Sequence, residues 1–434
     1  MRKTSSKMWA AAAGAASIAL LATACSSGDG GSSDDESSAS SDEKITLTVA
    51  TFNDFGYSDE LFAEYTKDHP NVTVKQTKAA KSEDARTNLT TKLAAGGEGL
   101  ADIEAIEIDW LPELRQAPDE FVDLADPAVE GRWSDAVVGN ATLDDGKLLG
   151  YGTDTGPEAI CYRQDLFEAA GLPSDPDAVA AEVGTWDDYF ALGTKFVNAS
   201  DSAWFDSGVA TYQGMINQVK AAYENPDDGT ATDLADNAEI QKLYDKVTSP
   251  EVQALSAKLD QWTGDWDAAF QSNGFATMLC PSWMTGPIEE RAGGVTGWNI
   301  ANAFPGGGGN WGGSYLTVPA SGKHTAEAKE LAAWLTSPEI QTKAFIKTGN
   351  FPSQLEAQKS DEVQSATAPF FNDAPKGAIF TDRIAAIDVI PFKGPNYFSV
   401  HQTVQDGIKR VEYENVDPAT SWQTVLSDFS ALGL

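Results

Sequence analysis

The sequence predicts an α/β protein built as two lobes, and three observations lead there. The ordered part opens as strand, helix, strand. The ~390 residues from Lys44 onward are too many for one hydrophobic core. Several tryptophans stand just past strand ends, where open α/β sheets place their ligands, rather than inside periodic segments.

Taken in order, Ile45, Leu47 and Val49 alternate with Thr46, Thr48 and Ala50, which reads as a strand. Ser58 can cap a helix whose first turn carries Asp59 and Glu60, where the helix dipole favours them. Leu61, Phe62 and Tyr65 line one face, and His69-Pro70 stops it. Val72 and Val74 alternate again, so the unit is a right-handed crossover in a parallel sheet. A helix over 85–95, ended by Gly96-Gly97, and a strand over 103–108 follow. Asp144-Asp145-Gly146 is a hairpin turn between Thr142 and Leu148. Ile160-Cys161-Tyr162 is a strand, and 164–170 a short helix ended by Gly171. Thr185 caps a helix carrying Trp186, Asp188 and Tyr189, and the chain is mainly helical to about residue 266. Residues 275–280 return as a strand, 305–313 are glycine-rich, and 326–336 are helical. Ser337-Pro338-Glu339 starts one more helix, with proline at its first position and Gly349 past its end. No internal repeat is present.

The first residues are of another kind. Arg2, Lys3 and Lys7 precede an apolar run from Met8 to Leu21, which ends in Leu21-Ala22-Thr23-Ala24-Cys25. A basic segment, a short apolar run and small residues before a cut make a secretory signal over 1–24. The run is too short for a span of about 20 residues. Cys25 sits where a bacterial lipoprotein box has its cysteine, so cleavage and acylation there would tether the chain to the outer face of a membrane. Residues 26–42 are almost all serine, glycine and acidic side chains with nothing to bury, so the segment 25–43 is expected to stay disordered and extended. Beyond Cys25 only Cys161 and Cys280 remain, which in an exported chain invites one disulfide; two buried free thiols are the alternative.

The formal net charge of −35 repels nucleic acid and anionic lipid, and no basic stripe offsets it. The glycine run 306–309 lacks the Gly-Lys-Ser/Thr ending of a phosphate loop. There is no Gly-x-Ser-x-Gly nucleophile motif, His69, His324 and His401 are far apart, and no metal-ligand spacing or EF-hand order is found. No cofactor is expected. The positive signal is aromatic. Trp110 follows the third strand, Trp283 follows residues 275–280, and Trp311 follows the glycine run. A flat indole matches the apolar face of a pyranose ring, and carboxylates or amides can bond hydroxyls at its edge. Asn53, Asp54, Glu107, Asp109 and Asp154 fall just after strands or at chain crossings. Plugging a core is the competing role for every tryptophan; it is the expected one for Trp186 and Trp334, and Trp204 stays undecided.

These segments together resemble the extracellular solute-binding proteins of sugar ABC transporters, the large maltodextrin-binding-like family. The residues carrying the resemblance are Thr51-Phe52-Asn53-Asp54, Gly156-Pro157 with Tyr162-Arg163-Gln164-Asp165-Leu166-Phe167, and Thr185-Trp186-Asp187-Asp188. Cys280-Pro281-Ser282-Trp283-Met284, Trp311-Gly312-Gly313-Ser314-Tyr315 and the stretch from Trp334 to Ser353 continue it. The anchor and tether resemble a Gram-positive, actinobacterial member. The resemblance implies a periplasmic-binding-protein-like fold with a hinge and ligand cleft. One lobe would take 44–154 and 298–350, the other 155–297 and 351–434. It implies an oligosaccharide bound by Asn53, Asp54, Tyr57, Glu107, Asp109, Trp110, Asp154, Trp204, Trp283, Trp311, Gly312 and Gly313. A Cys161–Cys280 bridge would lie inside the second lobe. The partners implied are ABC permease subunits and, through the lipid anchor alone, the membrane. The protein would be a monomer without catalysis, metal or nucleic acid. A secreted glycoside hydrolase using two carboxylates, and a binder of a cationic solute such as a polyamine or betaine, are the alternatives.

Overall fold

The computed structural model describes residues 43–434, so the signal sequence, Cys25 and the tether lie outside the described residues. Two main sheets organise the rest. The first has the order β2-β1-β3-β9-β4. β1 (Ile45–Phe52) pairs in parallel with β2 (Val72–Ala79) and β3 (Ile103–Glu107). β9 (Ser314–Thr317) then runs antiparallel between β3 and β4 (Tyr151–Gly152). Ser58 caps the helix Asp59–Asp68 by accepting from the amide of Leu61, so the opening crossover forms as the sequence indicates.

The second sheet is antiparallel, with β6 (Glu158–Arg163) between β7 (Thr277–Pro281) and β8 (Trp298–Ala301). Every residue of β6 is buried. Its alternating side chains feed two cores: Ile160 and Tyr162 pack with the helices 186–197, 208–216 and 397–414, while Ala159 and Cys161 face Trp266, Phe270, Met284 and Phe345. Cys161 and Cys280 are disulfide-bonded across β6 and β7, with Cα atoms 5.4 Å apart. The first lobe has its own core around Leu47, Val49, Ile106, Trp110 and Leu331.

The strand Trp298–Ala301, assigned to the first lobe by the expected boundary at residue 298, pairs with β6 of the second sheet. The chain returns to the first sheet only at Ser314, because the glycine-rich segment lies between the two sheets. Two long C-terminal helices, Tyr397–Glu414 and Pro418–Leu432, complete the larger core of the second lobe. The lobes are connected through 152–158, 301–314 and 340–351, and the short pair β5 (Asp154–Thr155) with β10 (Phe351–Pro352) lies where two of these passes meet. Among the described residues no helix is long and apolar enough to cross a membrane.

Candidate functional site

A cleft of about 1000 Å³ opens between the two sheets, lined by residues of both lobes. The first lobe contributes the ends of β1 and β3. Asn53 adopts a left-handed backbone with φ 48°, a conformation asparagine tolerates, which turns the chain out of β1 at the cleft edge. Asp54 accepts from the amide of Gly56 at 2.8 Å and stays exposed, 3.7 Å from the Lys78 ammonium. Past β3, a single 3-10 turn (Ile108–Trp110) separates two neighbours: Asp109 lines the cleft while Trp110 enters the core against Phe52.

The crossing segments build the floor. The Asp154 Oδ1 accepts from the Thr153 hydroxyl at 2.8 Å and the Ser314 amide at 3.0 Å. Burial nonetheless pushes its carboxyl up to about 6, against the lowering effect of those bonds. Glu107 stands beside it. Burial, and then the Asp109 and Glu83 carboxylates, push the Glu107 carboxyl up to about 8, so it is largely protonated at neutral pH. Asp109 is paired with the Lys393 ammonium of the opposite lobe, both side chains being mostly buried at 15% and 13% exposure.

Indoles form the facing wall. The Trp283 Nε1–H donates to the carbonyl of Trp311 at 2.8 Å, and the two rings lie 6.0 Å apart at 89°. This contact depends on Gly156: a Cβ there would fall 1.8 Å from the Trp311 carbonyl oxygen. Gly312 and Gly313 continue the wall at φ 82° and 109°, conformations that favour glycine. A third indole, Trp262, lies 6.3 Å from Trp283 and nearly parallel to it. Trp262 itself has φ 67°, and the Arg291 guanidinium, anchored on Asp267, sits 5.0 Å from its ring.

The second lobe adds a hydrogen-bonded polar group. His401 Nε2 and Gln213 Oε1 are 2.7 Å apart, and Tyr223 OH is 2.9 Å from His401 Nδ1. Burial pushes the imidazole down to about 4, so it is neutral. Gln213 Oε1 only accepts, so Nε2–H of His401 donates to it and Nδ1 accepts from Tyr223. Gln213 in turn donates to Asn217, and Asn217 to Glu158, whose carboxyl burial pushes well above its ordinary value. Gln213 and His401 both reach the cleft.

Asn53, Asp54, Glu107, Asp109, Asp154, Trp283, Trp311, Gly312 and Gly313 therefore line one cleft. Three expected ligand contacts do not join them. Tyr57 is buried between Phe55 and Phe62, and burial raises its hydroxyl. Trp110 is 1% exposed because the turn after β3 points it inward. Trp204 is fully buried among Phe167, Tyr189 and Phe196; the missing side chain of Gly193 makes its room. Trp262, Gln213 and His401 were not legible as cleft residues, nor Lys393 as the partner of Asp109. Trp262 carried one signal, its place in a polar Asp-Gln-Trp-Thr-Gly loop with no periodic partner. Among the described residues no cluster of His, Cys, Asp and Glu could hold a metal ion.

The sequence matches the family model for bacterial extracellular solute-binding proteins over residues 60–372. Among solved structures, one described as an extracellular solute-binding protein of family 1 is 43% identical, with TM-score 0.76 over 88% of this chain and 98% of that one. The ABC transporter associated binding protein of B. animalis subsp. lactis Bl-04, solved with β-1,6-galactobiose, is 21% identical, with TM-score 0.76 over 90% of this chain and 97% of that one. An ABC substrate-binding protein of Listeria monocytogenes, solved with cycloalternan, is 16% identical, with TM-score 0.70 over 90% of this chain and all (100%) of that one. No curated protein matches the sequence.

Proposed function

Since the chain belongs to the bacterial extracellular solute-binding proteins, we propose that its cleft captures an oligosaccharide and hands it to the permease of an ABC importer, without catalysis. In this reading Trp283, Trp311 and Trp262 receive the apolar faces of sugar rings. Glu107, Asp154, Asn53 and Gln213 bond the hydroxyls. The mature chain is held at the outer face of the membrane through acylated Cys25. The ligands of the bifidobacterial and Listeria proteins, a galactobiose and a cycloalternan, point to the same substrate class.

The observation carrying the proposal is the pairing of an indole wall with two carboxyls, Asp109 and Glu107, that are not left as bare charges. Lys393 meets Asp109, and Glu107 is largely protonated at neutral pH. A protonated carboxyl can donate one hydrogen bond and accept others, as a sugar hydroxyl does. A site for a cationic solute would instead be expected to keep these two carboxylates charged and uncompensated.

A thermal-shift panel of mono- and oligosaccharides, with polyamines and betaine alongside, tests this. A ligand at 100-fold excess over its dissociation constant adds about 2.7 kcal/mol of stability. The expected result is a rise with one oligosaccharide series, weakened at least tenfold in affinity by Trp283→Ala or Trp311→Ala, about 1.4 kcal/mol. A rise with the cationic solutes alone would replace the sugar by a cation.

A further inference from the structure

Two cations cross between the lobes beside the cleft, in opposite directions. Lys393 leaves the second lobe to pair with Asp109 at the end of β3. Arg86 leaves the first lobe, from the helix Ser82–Ala94, and its guanidinium lies 3.9 Å from the ring centroid of Phe398. Lys393 and Phe398 flank the start of one helix, Tyr397–Glu414. We propose that Lys393 is a positioning residue: with Asp109, and backed by Arg86 on Phe398, it clasps the two lobes in the closed arrangement that shapes the cleft.

Each half of the clasp is fixed by its own lobe. The amide of Phe392 donates to the carbonyl of Lys220 at 2.7 Å, and the amide of Asn396 donates to the buried Glu224 at 2.8 Å. Gly394 passes so close to Glu224 that a Cβ would lie 2.6 Å from its carboxylate. The ammonium also stands 4.8 Å from the centroid of the Tyr397 ring, whose face attracts a cation. On the other side, Trp110 is sunk in the first core and the amide of Ile108 donates to the carbonyl of Gly313 at 2.9 Å, so the turn carrying Asp109 cannot follow Lys393 if the lobes separate. Arg86 is held from behind by its ion pair with Glu113.

Both contacts join protein groups only, so their energy favours closure whether or not a ligand is present. An ion pair this little exposed is also screened less than a surface one. The clasp further implies that Asp109 is engaged by Lys393 and acts on a ligand through position rather than as a free acceptor. Glu107 and Asp154 then remain among the first lobe's cleft carboxyls that can meet a ligand. This inference depends on the two-lobe architecture and not on which solute is bound.

The test is small-angle X-ray scattering of the folded chain without added solute, comparing wild type with Lys393→Gln, Asp109→Asn and Lys393→Arg. Far-UV circular dichroism and a cooperative melt confirm that each variant is folded. The expected result is a larger radius of gyration and a loss of the closed fraction in Lys393→Gln and Asp109→Asn. Lys393→Arg, which keeps the charge, should retain the compact profile, a rescue that a merely structural lysine would not show. Asp109→Asn carries the test from the opposite lobe should Lys393→Gln fail to fold. Profiles of folded Lys393→Gln or Asp109→Asn that superimpose on wild type would overturn the proposal.

Discussion

At the scale of single residues, two groups at the cleft set opposite responses to pH. Glu107 is pushed up to about 8, so between the ordinary glutamate range and pH 8 the folded chain holds a proton that the unfolded chain has released. Its contribution to stability therefore falls as pH rises through that interval. His401 is pushed down to about 4, so between pH 4 and 6.5 the unfolded chain holds the extra proton, and its contribution rises with pH. Above pH 6.5 only the first slope remains of the two. The melting temperature is expected to drop from pH 6.5 to pH 8, and the drop should shrink in Glu107→Gln. An unchanged pH dependence in that variant would assign the slope to another buried acid, such as Glu104, which burial pushes up to about 7. Glu107 and Asp154 could be picked out in the sequence because strand ends are recognisable. The cleft role of His401 could not, since it depends on Gln213 and Tyr223, 188 and 178 residues away. Trp110 and Trp204 show the reverse limit. A tryptophan just after a strand or in a loop can point either way, and what decides is one residue of turn geometry or one small neighbour such as Gly193.

At the scale of elements, the sheet β7-β6-β8 is the part that packing and covalent chemistry hold together. The bridge between Cys161 and Cys280 closes a loop of sequence separation 119 and lies in the buried layer against Trp266 and Met284. Cross-linking so long a loop restricts the unfolded chain by about 2–4 kcal/mol, with the upper end set by loop length. Cys161→Ala/Cys280→Ala, or reduction under denaturing conditions followed by refolding in reductant, should lower the stability of the second lobe by that amount in a urea melt. A loss below about 0.5 kcal/mol would mean that the unfolded chain is already restricted there. The same bridge ties down the loop that follows it: the Ser282 amide donates to the carbonyl of Pro157 at 3.1 Å, and the indole of Trp283 comes next. Period-2 alternation made β1 and β2 readable, and short apolar runs made β3, β6 and β7 readable. β8 was not, because its four residues, Trp298–Ala301, are interrupted by Asn299 and are too short to carry a signal until a partner is known.

At the scale of the whole molecule, 65 acidic side chains face 30 basic ones. The net charge of −35 gives a self-repulsion that the unfolded chain relieves by expanding. Raising sodium chloride from about 10 mM to about 300 mM shortens the screening length several-fold. The melting temperature should therefore rise with salt, and a fall would mean that attractive pairs such as Lys343 with Glu64 and Glu339 outweigh the repulsion. The two-lobe plan could be inferred from length and from the opening crossover, whereas the point of return could not. Residues 298–313 contain a strand and a glycine run that suit either lobe, and only the pairing of β8 with β6 decides between them.

The place of β9 has a consequence for how the chain comes into being. It lies between β3 and β4, and the Thr317 hydroxyl reaches the Glu104 carbonyl across 213 residues of sequence. During synthesis β1, β2 and β3 can associate early, but the outer edge of β3 stays open until residue 317 has emerged. In that interval β6 meets β7 and β8, while the larger core of the same lobe still waits for the helices that end at Leu432. Neither half can mature before the other is under way. A nascent chain halted between β3 and β9 presents an unpaired strand edge to its neighbours, the kind of surface on which newly made chains aggregate and which chaperones cover.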